Sequence, residues 1–162
     1  MQILSISGSL RRGSYNTAVL QHLQNLAPKL WHWQHYTELS LLPFFDPNAS
    51  RQSPPLVVQR LFDALQQADT IIIATPEYAH GMPGVLKNLL DWCVGFASFS
   101  GKATLALSAS PGFSGGKWAH ADLLETLQLI EADLISVEKP CLAYVSQCID
   151  PNGNIGSTDF VA

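Results

Sequence analysis

Between Gly8 and Thr17 the chain reads GSLRRGSYNT, which gathers two glycines, paired arginines and four hydroxyl or amide side chains just where a helical pattern begins. A helix start leaves backbone N–H groups without partners, and the helix dipole favours negative charge there. Ser9, Arg11, Ser14, Asn16 and Thr17 are therefore candidate ligands of an anion, and a phosphate is the natural guest. The plainer alternative is that Ser14 only caps the helix, with Asn16 and Thr17 exposed beside it.

The identity of the phosphate narrows by elimination. Gly8 and Gly13 have the spacing of the P-loop glycines, but Ser14 stands where that motif needs lysine. GSLRRG also lacks the G-x-G-x-x-G pattern of a dinucleotide fold, and no cysteine nucleophile lies in the loop. A terminal monophosphate, held without chemistry being done on it, remains.

A second stretch, TPEYAHGMPGVLKNLLDW, begins at Thr75. Gly81 and Gly84 permit tight turns and Pro76 and Pro83 fix direction, so its N–H groups are placed to meet the edge of a flat polar ligand. Glu77 and Tyr78 can donate or accept along a ring, whereas His80 reads more readily as a surface residue than as a ligand. A third loop, Ser108 to Gly116, carries Gly112, Gly115 and Gly116. Trp118 and Phe113 beside it could serve as a stacking wall or as ordinary packing. No Cys, His, Asp or Glu cluster has metal spacing, and His32 with His35 reads as incidental.

These three loops need strands ending before them. QILSIS is a short β-prone run, and from Ser14 the residues Val19, Leu20, Leu23, Leu26 and Ala27 recur at helical spacing until Pro28. LWHWQHY predicts a second strand, and the proline-rich LLPFFDPNASRQSPP an irregular connection. A second helix is expected from Pro55 to Ala68, and DTIIIATP reads as a strand buried on both faces. The third helix carries Val85, Leu86, Leu89, Leu90 and Cys93 on its buried stripe. KATLALSAS, then a helix over KWAHADLLETLQLIEA and a short fifth strand at DLISVE, complete the alternation. Strands that alternate with helices pair in parallel, so a doubly wound α/β sheet is predicted with helices on both faces. In such a sheet the ligand lies beyond the carboxyl ends of the strands, where all three loops sit. DPNGNIGSTDFVA leaves little room for a closing helix, so a short or missing last helix is expected.

Composition bounds the rest. The 162 residues, 47% of them hydrophobic, suit one domain spanning 1–162. A formal net charge of -4 excludes a broad basic surface, so neither nucleic acid nor a membrane surface is an expected partner. No apolar run approaches a membrane span. Three cysteines without redox spacing fit small core residues in a reducing compartment, and a cytoplasmic location is expected.

The pairing of GSLRRGSYNTAVL with TPEYAHGMPGVLKNLLDW, in that order, resembles the NAD(P)H-dependent FMN reductase family of flavodoxin-like proteins, which includes quinone, chromate and azo-dye reductases. The resemblance runs from Ile3 to about Gly153. It implies five parallel strands in the order 2-1-3-4-5, with FMN as cofactor and NADPH or NADH as co-substrate. It matches Ser9, Arg11, Ser14, Asn16 and Thr17 to the phosphate site. It matches Pro76, Glu77, Tyr78, Ala79, His80 and Gly81 to the loop along the isoalloxazine and ribityl chain, and Ser108, Gly112, Gly115 and Gly116 to the loop on the other side. Many family members carry Asn, Tyr and Ser where this chain has Ala79, His80 and Gly81, so backbone contacts are expected there. A homodimer or homotetramer and a small-molecule acceptor such as a quinone or free flavin are also implied. No catalytic side chain is required, because the cofactor carries the chemistry. The alternative is a flavodoxin-like electron carrier without NAD(P)H activity. Such carriers are strongly acidic around the flavin and bind phosphate without arginines.

Overall fold

The computed structural model describes residues 1–48, 53–96, 98–150 and 154–156. Four parallel strands form the body of its sheet: β1 (Gln2–Ser7), β2 (His32–Tyr36), β3 (Thr70–Thr75) and β4 (Ala103–Ala109). Four helices connect or follow them: α1 (Tyr15–Leu26), α2 (Leu56–Gln67), α3 (Gly84–Val94) and α4 (Lys117–Leu129). The strand order is 2-1-3-4-5, as expected.

The fifth position differs from the strand predicted over DLISVE. Only β5 (Asp133–Leu134) pairs with the start of β4, and β6 (Cys141–Leu142) takes up the same edge against Ser108 and Ala109. Between them the chain leaves the ladder. Pro140 keeps only its carbonyl, which accepts the Ser108 N–H at 2.9 Å. A proline has no N–H to give a ladder, so the strand resumes after it.

The apolar strands divide their side chains by alternation. Leu4, Ile6, Ile71, Ile73 and Ala106 face α2, α3 and α4, where Val58, Leu61, Leu65, Leu86, Leu89, Leu90, Leu123 and Leu127 complete one core. Ile3, Ile72, Ala74, Leu107 and Ala109 point the other way, toward Ala18, Val19 and Leu20 of α1. A period of two on the strands thus supplies both helical layers. Cys93 is fully buried in the first core, where desolvation pushes its thiol up and leaves it inert.

After β6 the described chain holds one 3-10 turn (Val145–Gln147) and an antiparallel bridge between Ile149 and Ile155. Val145, Ile149 and Ile155 pack into the α1 layer. The expected end of the chain at 157–162 and part of the proline-rich connection at 49–52 lie outside the described residues.

Candidate functional site

The first loop leaves β1 at Gly8, whose N–H donates to the Ala74 carbonyl at 2.8 Å. A Cβ at Gly8 would stand 2.9 Å from Leu86 Cδ2, so any larger residue here would have to displace that side chain of α3. The loop then turns through Ser9 to Ser14, and α1 begins with nothing bonded to its first N–H groups. Ser14 makes no side-chain cap, and among the described residues no acceptor takes the N–H of Tyr15, Asn16 or Thr17. Ser14, Tyr15 and Asn16, at this helix start, line a cavity of about 250 Å³. The uncapped helix fits an anion better than it fits the plain capping alternative.

Ser9, Arg11, Ser14 and Asn16 line that cavity from the first loop, and Pro76, Glu77 and Tyr78 from the second. The expected first-loop and second-loop residues therefore meet in space. Arg11 is exposed, donates from Nη2 to the Gly13 carbonyl at 3.2 Å and lies 5.3 Å from the centroid of the Tyr15 ring. A guanidinium, a hydroxyl pair and three free N–H groups are a donor set suited to a phosphate dianion. The residues present thus fit the phosphate end of FMN.

Several expected residues sit elsewhere or do another job. Thr17 lies outside the cavity wall, with its hydroxyl 2.8 Å from Ser7 Oγ. Asn16 is buried, and its amide is spent on Ala109: Nδ2 donates to the carbonyl and Oδ1 accepts the N–H, both at 3.0 Å. Glu77 turns its carboxylate to the start of α4, where it accepts from Trp118 N at 2.9 Å and Ala119 N at 3.3 Å. One helix start is therefore open to a ligand while the other is closed by a carboxylate from a neighbouring loop.

Ala79, His80 and Gly81 form a hairpin tip away from the cavity. Tyr78 and Gly81 exchange backbone hydrogen bonds at 3.0 and 3.1 Å, and both central residues are left-handed, at φ 52° and 61°. His80 stacks on Trp118 with centroids 4.4 Å apart and an interplanar angle of 15°. The stacking wall considered for an acceptor is thus already engaged on one face. Asp122 Oδ2 accepts the Met82 N–H at 3.0 Å and, with Glu77, clamps the whole second loop to α4.

In the third loop the cavity wall is Ala109, Ser110 and Pro111, rather than Ser108, Gly112, Gly115 or Gly116. Ser108 is buried and donates to the Gly115 carbonyl at 2.7 Å, while the Gly112 N–H reaches Ser110 Oγ at 3.2 Å. Gly115 and Gly116 have φ of 62° and 85°, and a Cβ on Gly115 would meet the Cys141 backbone at 2.7 Å. They let the loop close against β6. Tyr15, Ala109, Ser110 and Pro111 fall within or beside the loops the sequence marks but are not singled out there. Their position immediately beside Ser14, Asn16 and the end of a predicted strand was the available signal.

A larger hollow, about 370 Å³, lies between β2 and α2. It holds none of the three loops, and its Arg60 Nε already donates to both Glu38 carboxylate oxygens, at 2.9 and 3.1 Å.

Fold and site together define a flavodoxin-like protein with an uncapped first-helix N-terminus beside its cavity. The chain belongs to the NADPH-dependent FMN reductase family, whose sequence model matches residues 1–145. It is 32% identical over 157 residues to an NAD(P)H-dependent FMN reductase of Pseudomonas aeruginosa, covering 96% of this chain and 84% of the relative. A quinone reductase of Escherichia coli is 29% identical over 154 residues, covering 93% and 82%. Among solved structures, the NAD(P)H:acceptor oxidoreductase FerB of Paracoccus denitrificans superposes with a TM-score of 0.82 at 28% identity, covering 95% of this chain and 85% of that one. The chain is thus an FMN-dependent oxidoreductase that draws on NAD(P)H.

Proposed function

We propose that this enzyme passes electrons from NADPH or NADH to a quinone or a similar small flat acceptor, with the phosphate of FMN seated at the start of α1. The open, uncapped N-terminus of α1 beside Arg11, Ser9 and Ser14 is the observation that carries the reading. When bound, FMN supplies the two-electron relay between reductant and acceptor.

The protein's own residues bind, orient and exclude. Arg11 and the N–H groups of Tyr15, Asn16 and Thr17 anchor the phosphate end, and the hydroxyls of Ser9 and Ser14 add donors. Pro76, Glu77 and Tyr78 form the opposite wall, and the clamp of Glu77 and Asp122 onto α4 keeps that wall rigid. Ala79, His80 and Gly81 close the hairpin beyond that wall, while Ser108, Gly112, Gly115 and Gly116 support the third wall from behind. With FMN held here, nicotinamide and acceptor would share the opening of this cavity, and the two half-reactions would alternate.

The homodimer reading rests on an exposed apolar loop beside α3. Phe44 is 91% exposed on a loop tied down to α3: the Pro43 carbonyl accepts from Asn88 Nδ2 at 3.0 Å and Trp92 Nε1 at 2.9 Å. An apolar ring presented to water by an anchored loop, with Leu41 also 61% exposed nearby in sequence, fits a contact between subunits of a homodimer or homotetramer. Sedimentation at low micromolar protein tests it, and a clean monomer removes it. Free cysteines support a cytoplasmic location, and no helix among the described residues is long and apolar enough to cross a membrane.

The direct test of function is anaerobic. Protein reconstituted with FMN should lose its flavin absorbance on adding NADPH or NADH and regain it on adding 1,4-benzoquinone, with parallel double-reciprocal lines in steady state. A flavin band that neither nucleotide bleaches would leave only the electron-carrier reading.

A further inference from the structure

Tyr15 has no place in the phosphate site read from the sequence, yet its ring lies beside the one cation that site contains. It is the first residue of α1, partly buried, and it packs against the α1-layer core. A ring seated in that way has little freedom. The Arg11 guanidinium carbon stands 5.3 Å from its centroid, and both side chains line the same cavity. Among the described residues Arg12, one position on, makes no comparable contact.

We propose that Tyr15 is a positioning residue: it holds the Arg11 guanidinium at the mouth of the anion site, ready for the phosphate of FMN. The proposal rests on the FMN reading above. An exposed arginine samples many rotamers, and a ligand that must freeze it gives up affinity to do so. Two contacts restrain Arg11 before any ligand arrives, and they differ in kind. The Nη2 bond to Gly13 uses a donor that the phosphate also wants. Contact with the ring uses the cation's charge against the π-face and leaves the N–H fork free, so it persists when the phosphate binds. The ring is therefore the restraint that survives loading, and its removal should cost phosphate affinity alone.

The test is a titration of the apo-protein with FMN and with riboflavin, followed by flavin fluorescence. Tyr15→Leu should weaken FMN about three- to fivefold, the range expected for an exposed cation–π contact, and leave riboflavin within about twofold. Tyr15→Phe keeps the π-face and should bind FMN like the wild type. In Arg11→Ala the further change Tyr15→Leu should add nothing for FMN, because the ring then has no cation to hold. Equal losses for both flavins in Tyr15→Leu, or additive losses in the double variant, would overturn the proposal by showing that the ring supports the loop or touches the ring system. If Tyr15→Leu does not fold, Tyr15→Met is read by the same criterion. Wild-type protein that binds FMN no better than riboflavin sinks the phosphate reading itself, a result distinct from either failure of Tyr15.

Discussion

Asn16 joins the start of α1 to the end of β4, two positions 93 residues apart, through a pair of hydrogen bonds to the Ala109 backbone. Asn16→Ala would orphan a buried N–H and a buried carbonyl at once, so a loss of about 2–4 kcal/mol is expected in urea unfolding. A loss well under 1 kcal/mol would show that water replaces the amide. Arg11 is the opposite case, exposed and dispensable to the fold. Arg11→Ala should leave the unfolding midpoint unchanged and weaken FMN about ten- to hundredfold, with riboflavin hardly affected, since charge-assisted hydrogen bonds contribute roughly 1.5–3 kcal/mol. Equal losses for the two flavins would assign the arginine to the loop. The sequence showed both residues as members of one polar motif. It could not separate them, because the difference is burial, and Ala109 lies far along the chain.

At the scale of elements, what was legible followed from local rules. Helix stripes, the two-sided apolar strand of Ile71 to Ala74 and the prolines before α2 and α3 each carry a pattern within a few residues. The split of the last strand was less legible, since DLISVE is β-prone throughout and only the pairing with β4 reveals that Asp133 and Leu134 stop the first segment. The structural role of Glu77 is hidden for a similar reason: it lines the cavity, but its partners at Trp118 and Ala119 belong to another element. The hairpin tip raises a testable point of its own. Ala79 is held at φ 52°, where a Cβ costs about 1–2 kcal/mol and asparagine is better tolerated than alanine. Ala79→Asn should therefore raise stability by about 0.5–1 kcal/mol, seen as a higher urea midpoint at unchanged slope. A lower midpoint would mean that the tip is held by contacts asparagine disturbs.

Across the whole molecule, two histidines couple the fold to pH from opposite sides of the sheet. His35 lies in the α1 layer, where Ser5 Oγ is 2.6 Å from Nδ1 and Gln24 Oε1 is 2.8 Å from Nε2. Ser5 also accepts from Trp33 Nε1 at 2.8 Å, and its one hydrogen goes to Nδ1 at 2.6 Å in preference to the Gln34 carbonyl at 3.4 Å, so a neutral ring with its proton on Nε2 satisfies the Ser5 and Gln24 contacts. His120 lies against the other face, its Nε2 3.1 Å from the Ala106 carbonyl. Burial lowers the pKa of both below the ordinary 6.5, only partly offset at His120 by the bond to Ala106. The sign follows directly. As pH falls through 6.5 the unfolded chain takes up protons that the native rings still refuse, so stability is full above that value and declines below it. Urea unfolding followed from about pH 8 to about pH 5 should show a plateau and then a fall that begins near neutrality, well above the range in which carboxylates titrate. His35→Gln and His120→Gln should each flatten part of that fall, and the double variant should remove the portion above about pH 5.5 whatever its effect on absolute stability. An undiminished slope in the double variant would assign the acid sensitivity to carboxylates and leave both rings as silent members of the core.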